Sequence, residues 1–468
     1  MKWEMIIGLE THVELSTNTK IFCSCTTQFG GDPNTHCCPV CTGMPGTLPV
    51  LNASVVEFAV KAGLATGCEI KQRSIMSRKH YVYPDLAKAY QISQYDKPIC
   101  LAGKMELGNG RTIGITRIHI EEDAGKLVHV GREVRMDDNR AGTPLIEIVS
   151  EPDFRSVDEV LEYMERLQTT LRAIGVSDCR MQEGSMRCDV NLSLRRPGEE
   201  FGIRTETKNL NSFTAIAAAI EYEYDRHADI LESGGTVIQE TRGFDADTGT
   251  TSASRDKENA DDYRYFTDPD NIPVLLTAEE IERIRLSLPE MPEQKFARYT
   301  TEFGIAEFDA KLLTKYRAVS EYFEAACEGL VPKTVATFMT TTMFAHITTE
   351  AEREHWNPTV KAEHLRELIS LMENGKINRN MTKRVYQQMT ESGKDASAFI
   401  SEQDLAGFST DELEAVVRAA IAANEKSVAD YKSGKEKALK AIVGTVMRET
   451  KGRADAVEAE KLILKLIS

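Results

Sequence analysis

No stretch of the 468 residues is long and apolar enough to cross a bilayer. Apolar runs such as Leu145 to Val149 are strand-sized, whereas a spanning helix needs roughly 20 residues. The opening residues Met1-Lys2-Trp3-Glu4 pass straight into a strand-like pattern and leave no room for an export segment. A cytoplasmic protein with no membrane partner is therefore expected. Cationic excess is also missing: 57 Lys and Arg stand against 73 Asp and Glu, a formal charge of −16. That balance excludes a general nucleic-acid coat, because phosphate affinity comes mainly from Lys and Arg; any RNA contact must be a local basic patch. There is no GxxxxGK[ST] phosphate loop, no GxGxxG turn and no kinase catalytic motif, so nucleotide binding does not follow from pattern. Fixed-period repeats and low-complexity segments are absent as well, which disfavours solenoid and linker architectures.

What is present suits a sizeable α+β protein. Hydrophobic residues make up 41% and charged residues 28%, and a chain this long buries a large core in more than one domain. The first 290 or so residues alternate short β-rich runs with Gly, Pro and Asp turns. After Leu288-Pro289-Glu290-Met291-Pro292, long segments of period 3.6 replace the strands, which marks a domain boundary. One such helix carries Leu365, Leu368, Ile369 and Met372 and should stop at Asn374-Gly375, a left-handed cap. A second boundary is expected between Ser401 and Phe408. Beyond it, Ser409 with Glu412 forms a capping box ahead of Leu413, Val416, Val417, Ala420 and Ile421. The expected division is 1–293, a mixed or antiparallel β-rich domain; 294–407, all helical; and 408–468, a small helical tail.

Five of the ten cysteines lie between Cys23 and Cys41. In a chain that stays reduced, close spacing points to metal before disulfides. Cys23-Ser24-Cys25 and Cys38-Pro39-Val40-Cys41 make a CxC and a CxxC knuckle, and four thiolates so arranged close a structural tetrahedral Zn2+ site. The alternative is a set of small buried hydrophobes. Cys37 is left over, with no role assigned.

Acidic residues on strands supply the other candidate chemistry. Alternation from Met5 to Leu15 puts Glu10, His12 and Glu14 on one face and Leu9, Val13 and Leu15 on the other. Glu147 is the single carboxylate in Pro144-Leu145-Ile146-Glu147-Ile148-Val149, a run apolar enough to be buried on both faces, and it needs a cation, a metal or its own proton. Ile118-His119-Ile120-Glu121-Glu122-Asp123 ends in three acids, with Glu122 on the side of Ile118 and Ile120. The expected cluster is His12, Glu122 and Glu147, with Glu10 behind, and its donor set suits Mg2+ or Mn2+; separate salt bridges are the alternative. A hairpin is expected from Met186 to Leu194, through Arg195-Arg196-Pro197-Gly198, and back from Phe201 to Lys208. Its polar face sets Arg187, Asp189 and Asn191 opposite Arg204, Glu206 and Lys208, an arrangement that ion pairing alone explains.

These segments together resemble the GatB family, the B subunits of glutamine-dependent aminoacyl-tRNA amidotransferases. The matching blocks are Ile7 to Leu15, Cys38 to Pro49, Arg78 to Asp85 running on to Tyr90-Gln91-Ile92-Ser93-Gln94, and His119 to Lys126. They continue through Asn139 to Glu147, Gly184 to Asn191, Lys208 to Phe213 and Asp261-Asp262-Tyr263-Arg264-Tyr265-Phe266. The archaeal GatE relatives share the blocks but carry a large inserted domain, for which this chain has no room.

The resemblance implies a β-rich cradle, a helical domain and a tail like the YqeY proteins. It further implies that ATP phosphorylates the side-chain carboxylate of Glu on tRNA(Gln), or Asp on tRNA(Asn), before ammonia displaces the phosphate. It places the divalent ion on His12, Glu122 and Glu147, with Glu10 and Asp189 nearby, and zinc on Cys23, Cys25, Cys38 and Cys41. Lys79, Arg140 and Lys208 become cations near phosphates, and Tyr81 and Tyr83 walls of the aminoacyl-end pocket; packing or surface roles are the alternative for each. The chain has no glutaminase nucleophile motif, so ammonia is expected from a separate amidase, the A subunit, with a small C subunit completing a heterotrimer. In the tail, Lys432, Lys435, Lys437, Lys440, Arg448, Lys451 and Arg453 gather around Gly434 and Gly452 as a tRNA-gripping patch, unless they are an ordinary charged helix face. Two rivals are a zinc-ribbon RNA-binding or assembly protein, which leaves Glu147 unexplained, and a metallohydrolase acting on water.

Overall fold

Apolar residues at every second position make the first strand, β1 (Glu4–Glu14), and bury Ile7, Leu9, Thr11 and Val13 on one face. In this computed structural model the described residues are 3–256, 263–347, 349–354, 356–401, 410–450 and 454–467. The chain divides into two compact units between Met291 and Pro292.

In the first unit, β1 lies at the centre of a sheet with β2 (Glu69–Ile70), β3 (Cys100–Glu106), β4 (Thr112–Glu122), β5 (Pro144–Ser150), β6 (Met186–Arg195), β7 (Thr205–Leu210), β8 (Glu240–Asp245) and β9 (Thr250–Asp256). The spatial order is β9-β8-β7-β6-β1-β5-β4-β3-β2. Neighbours run antiparallel except β7 and β8, so the sheet is mixed. The expected hairpin forms, but its return strand starts at Thr205, because the connection holds Phe201 and Ile203 out in solvent.

Three helices cover the apolar face. Asn52, Ser156 and Ser212 cap α1 (Ala53–Ala65), α2 (Val157–Ala173) and α3 (Phe213–Glu232), each accepting a backbone N–H of the first turn. On α2, Val160, Tyr163, Met164, Leu167 and Leu171 recur at helical spacing and are fully buried. They join Leu9, Ile118, Ile120, Ile146, Ile148, Val190 and Leu192 in one core. Each such side chain contributes about 1.5–3 kcal/mol by leaving water. With helices behind it, the sheet leaves its other face open as a cleft. Shorter strands at Ser77–His80, Tyr90–Ser93 and Phe266–Thr267 form a small separate sheet.

Among the described residues, every regular element after Met291 is helical. Helix Ala362–Glu373 buries Leu365, Leu368 and Ile369 and gives way to Gly375 at φ +69°, a backbone conformation glycine adopts without strain. Helix Thr410–Ala423 contributes Leu413, Val417 and Ala420 to a second cluster with Ile442, Val446 and Ile463, separate from the one around Phe323 and Leu368. The segment 402–409, where the second boundary and Ser409 were expected, lies outside the described residues. No helix among the described residues is long and apolar enough to cross a membrane.

Candidate active site

Strand register assembles the site. β1 pairs His12 with Glu147 on β5, and β5 pairs Glu147 with His119 on β4, so three strands carry one row of imidazole, carboxylate and imidazole. His12 Nε2 stands 3.6 Å from Glu147 Oε2 and His119 Nε2 3.2 Å from the same oxygen. Glu121, two residues along β4 and so on the same face, reaches His119 Nε2 at 3.1 Å and His12 Nε2 at 4.0 Å. His12, Glu121 and Glu147 converge closely enough for one cation to touch all three. On the other side of β1, Glu10 pairs with Asp189 on β6, and Glu206 on β7 faces Asn191. Glu10, Asp189 and Glu206 make a second acidic group, and both groups line one cleft of about 650 Å³.

Burial makes these charges costly and their partners decisive. Burial opposes a charge on His119, yet Glu147 and Glu121 outweigh it and push its pKa up to about 9. Burial likewise opposes the charges of Glu147 and Glu121, and the imidazolium of His119 holds both below the usual carboxylate range, Glu147 by the larger margin. Ser93 and Gln91 donate to Glu121 at 2.8 and 3.3 Å. His119 thus stands in for a cation between two buried carboxylates. Two hard oxygens and one imidazole fit Mg2+ or Mn2+.

The remaining walls are cationic and aromatic. Lys79 Nζ lies 4.7 Å from the Tyr263 ring centre and 5.6 Å from that of Tyr81; despite burial, Glu121 and Glu147 keep it charged. Lys208 closes an ion pair with Asp189 and stands 3.3 Å from Glu206. Arg140 donates to the carbonyls of Ala124 and Gly125 at 3.0 and 3.1 Å, with Asp123 at 3.5 Å. Arg187 binds Asp123 at 2.9 Å. Tyr95 and Tyr265 stack at 4.2 Å across the same cleft.

Two expected residues fall elsewhere. Glu122 does not join His12 and Glu147: it accepts from Lys88 at 2.6 Å and from the Ile92 N–H at 2.8 Å, and lines a different pocket of about 100 Å³. The cause is strand alternation, since a residue sharing the side of Ile118 and Ile120 turns away from His12; Glu121 takes its place. Tyr83 is exposed and outside the cleft lining, because strand Ser77–His80 ends before it and alternation no longer relates it to Tyr81. His119, Glu121 and Glu206 are site residues that the sequence pattern alone does not single out as ligands. The parity that places Glu122 beside Ile120 nonetheless marks His119 and Glu121 as the opposite face.

The four knuckle cysteines do converge. Cys23, Cys25, Cys38 and Cys41 present their sulfurs within 4.8 Å of one another, with Cys38 and Cys41 4.0 Å apart. A tetrahedral Zn2+ with Zn–S of about 2.3 Å separates its sulfurs by about 3.8 Å, so the donors fit. The Cys23 thiol bonds to Cys41 and helps draw the Cys41 pKa down to about 4. Cys37 turns aside to the Asn34 carbonyl at 3.3 Å. In the tail, Lys432, Lys435, Lys437, Lys440 and Arg448 are exposed, Lys435 pairs with Asp430 at 3.0 Å, and Lys451 and Arg453 lie outside the described residues.

Comparison with known proteins gives two family matches: the GatB/GatE catalytic domain over residues 5–282 and the GatB domain over residues 321–467. The chain is 48% identical to the B subunit of the aspartyl/glutamyl-tRNA(Asn/Gln) amidotransferase of Geotalea daltonii over 99% of both chains. It is 50% identical to the protein of that name from Caldicellulosiruptor saccharolyticus over 97% of both.

Proposed function

Because the chain belongs to the GatB/GatE family, we propose that it is the B subunit of an aminoacyl-tRNA amidotransferase that activates a tRNA-linked side-chain carboxylate with ATP and converts it to the amide. The substrates are Glu-tRNA(Gln), Asp-tRNA(Asn) or both. Ammonia comes from the amidase partner, the A subunit, which a small C subunit stabilises, and the complex works in the cytoplasm. Three domains, 1–293, 294–407 and 408–468, divide the work between chemistry and tRNA grip.

The observation that carries this reading is the row of His12, Glu147 and His119, flanked by Glu121, in a cleft also lined by Lys79, Arg117, Arg187 and Lys208. A carboxylate is a poor electrophile until one oxygen leaves as phosphate. The substrate carboxylate attacks the γ-phosphorus and ADP departs; ammonia then attacks the acyl carbon and phosphate departs. A divalent cation on His12, Glu121 and Glu147 would neutralise phosphate charge that builds during transfer. Glu10, Asp189 and Glu206 are a second place for such charge, with Lys208 already among them. Lys79, fixed between two tyrosine rings, offers a positive charge to a phosphate or to the attacking carboxylate. Arg140 and Arg187 hold Asp123 and so shape the cleft end. Zinc on Cys23, Cys25, Cys38 and Cys41 is structural, since no ligand position stays open.

The test supplies the reconstituted complex with Glu-tRNA(Gln), ATP and ammonium and follows ADP and Gln-tRNA(Gln). Glu147→Gln should abolish ADP formation while zinc content and fold persist. ADP release at the wild-type rate from that variant would sink the assignment.

A further inference from the structure

Lys20 is fully buried, and its ammonium has two polar neighbours: Cys41 Sγ at 3.6 Å and the Asp138 carbonyl at 3.1 Å. Among the described residues no carboxylate oxygen pairs with it. A desolvated ammonium facing only a carbonyl and a neutral thiol is costly, whereas one facing a thiolate is paired. Four cysteine thiolates around Zn2+ carry a net charge of about −2, and one ammonium reduces that to about −1. A methionine of similar length would fill the space without supplying this charge.

The second neighbour leads toward the cleft. Asp138 begins a turn that the knuckle segment grips along its length. Asn34 donates to the Met136 carbonyl at 3.0 Å and accepts from the Asp138 N–H at 2.8 Å, and Asn139 bridges the His36 N–H and the Asp32 carbonyl at 2.7 Å each. The turn then presents Arg140 to Asp123, and Gly142 N–H donates to the Asp123 carbonyl at 2.9 Å. Gly142 has φ +79°, and a Cβ there would lie 3.5 Å from Cys41 Cβ and 3.8 Å from Lys20 Cδ, so turn and knuckle sit in contact.

We propose that Lys20 is the counter-ion of the four-cysteine centre and, through the Asp138 carbonyl, the positioning residue that ties this centre to the turn carrying Arg140. The inference rests on the zinc assignment above. Lys20 touches no substrate. It acts through the thiolate on one side and the turn on the other, so changes in charge at the metal centre reach the cleft wall as changes in position.

The test compares wild type, Lys20→Met and Lys20→Arg in the assembled amidotransferase. Zinc per chain is measured first, then zinc transfer to a chromophoric chelator, then the sulfur-to-metal charge-transfer band after Co2+ replacement. Alkylation of the loaded protein by iodoacetamide is mapped cysteine by cysteine. Lys20→Met should weaken zinc retention by about 10- to 100-fold, a typical cost of losing an outer partner of a metal ligand. It should also shift the Co2+ band and speed alkylation at Cys41 above the other three. In the cleft, the apparent KM for aminoacyl-tRNA or ATP should rise while kcat changes less. Lys20→Arg, which keeps the charge, should restore the band and the slow alkylation. If Lys20→Met gives no complex, Lys20→Gln, neutral but still a donor to Asp138, carries the same expectation. A neutral variant with wild-type zinc retention, band and Cys41 reactivity overturns the role of Lys20 while leaving zinc intact. A wild-type protein with no zinc overturns both.

Discussion

Exchanging Glu121 for Gln, beside the same exchange at Glu122, separates two neighbouring carboxylates that strand geometry sends to opposite faces. The amide introduced by Glu121→Gln would keep the acceptor for Ser93, now at 2.8 Å, so the perturbation is loss of charge rather than of shape. That charge lies 3.1 Å from His119 and 4.0 Å from His12, at a side chain only 3% exposed. Removing one partner from a buried charged group costs about 3–5 kcal/mol. At about 1.36 kcal/mol per decade this is roughly a hundred- to several-thousand-fold. Mn2+ affinity, read by electron paramagnetic resonance, should fall by that order in Glu121→Gln, and ADP formation with it. Glu122→Gln breaks the Lys88 pair but keeps an acceptor for the Ile92 N–H, so its cost falls on stability, and Mn2+ affinity should stay within about threefold of wild type. The reasoning is refuted if Glu122→Gln loses Mn2+ and Glu121→Gln does not.

Replacing Lys435, Lys437 and Lys440 by Ala together should weaken tRNA binding and flatten the log affinity against log salt plot by about 2, near one contact per unit. Removal of the chain after about residue 408 should have the same sign while sparing the sheet; unchanged affinity in either variant removes the patch. Glu223, buried against Arg226, His227, Thr205 and Thr251, has its pKa depressed: burial opposes the charge, but hydrogen bonds from His227, Arg226 and Thr251 outweigh it. Its stabilisation is therefore full above the unfolded carboxylate value of about 4.3 and is lost as pH falls below it. Denaturant unfolding should show Glu223→Gln less stable at pH 7 by about 3 kcal/mol, with the gap to wild type narrowing toward pH 4; a gap that widens in acid contradicts the sign.

Much of the site is legible residue by residue. Glu147 stands out as the one carboxylate in an apolar strand, and two neighbouring strands do bring imidazoles to it. The cysteine spacing suffices to choose Cys23, Cys25, Cys38 and Cys41 and to leave Cys37 aside. The expectations fail where a local rule is applied without its consequence or past its range. Alternation sets Glu122 on the side of Ile118 and Ile120, and that same alternation removes it from the metal to which the sequence expectation assigns it. Tyr83 shares no strand with Tyr81, so the two do not share a wall. Glu206 reads as half of an ordinary hairpin ion pair, and only the neighbouring β1 with Glu10 gives it a second meaning.

By itself the sequence determined the α+β division, the change to helices near residue 290, the cysteine quartet and the face on which each strand residue sits, because period and spacing are local properties of the chain. Only the tertiary structure decided that Glu121 rather than Glu122 meets His12 and that Glu10 joins Asp189 and Glu206. It also decided that Lys20 faces Cys41. Those meetings depend on which strands lie side by side and in what register, and register is settled by packing across the whole sheet.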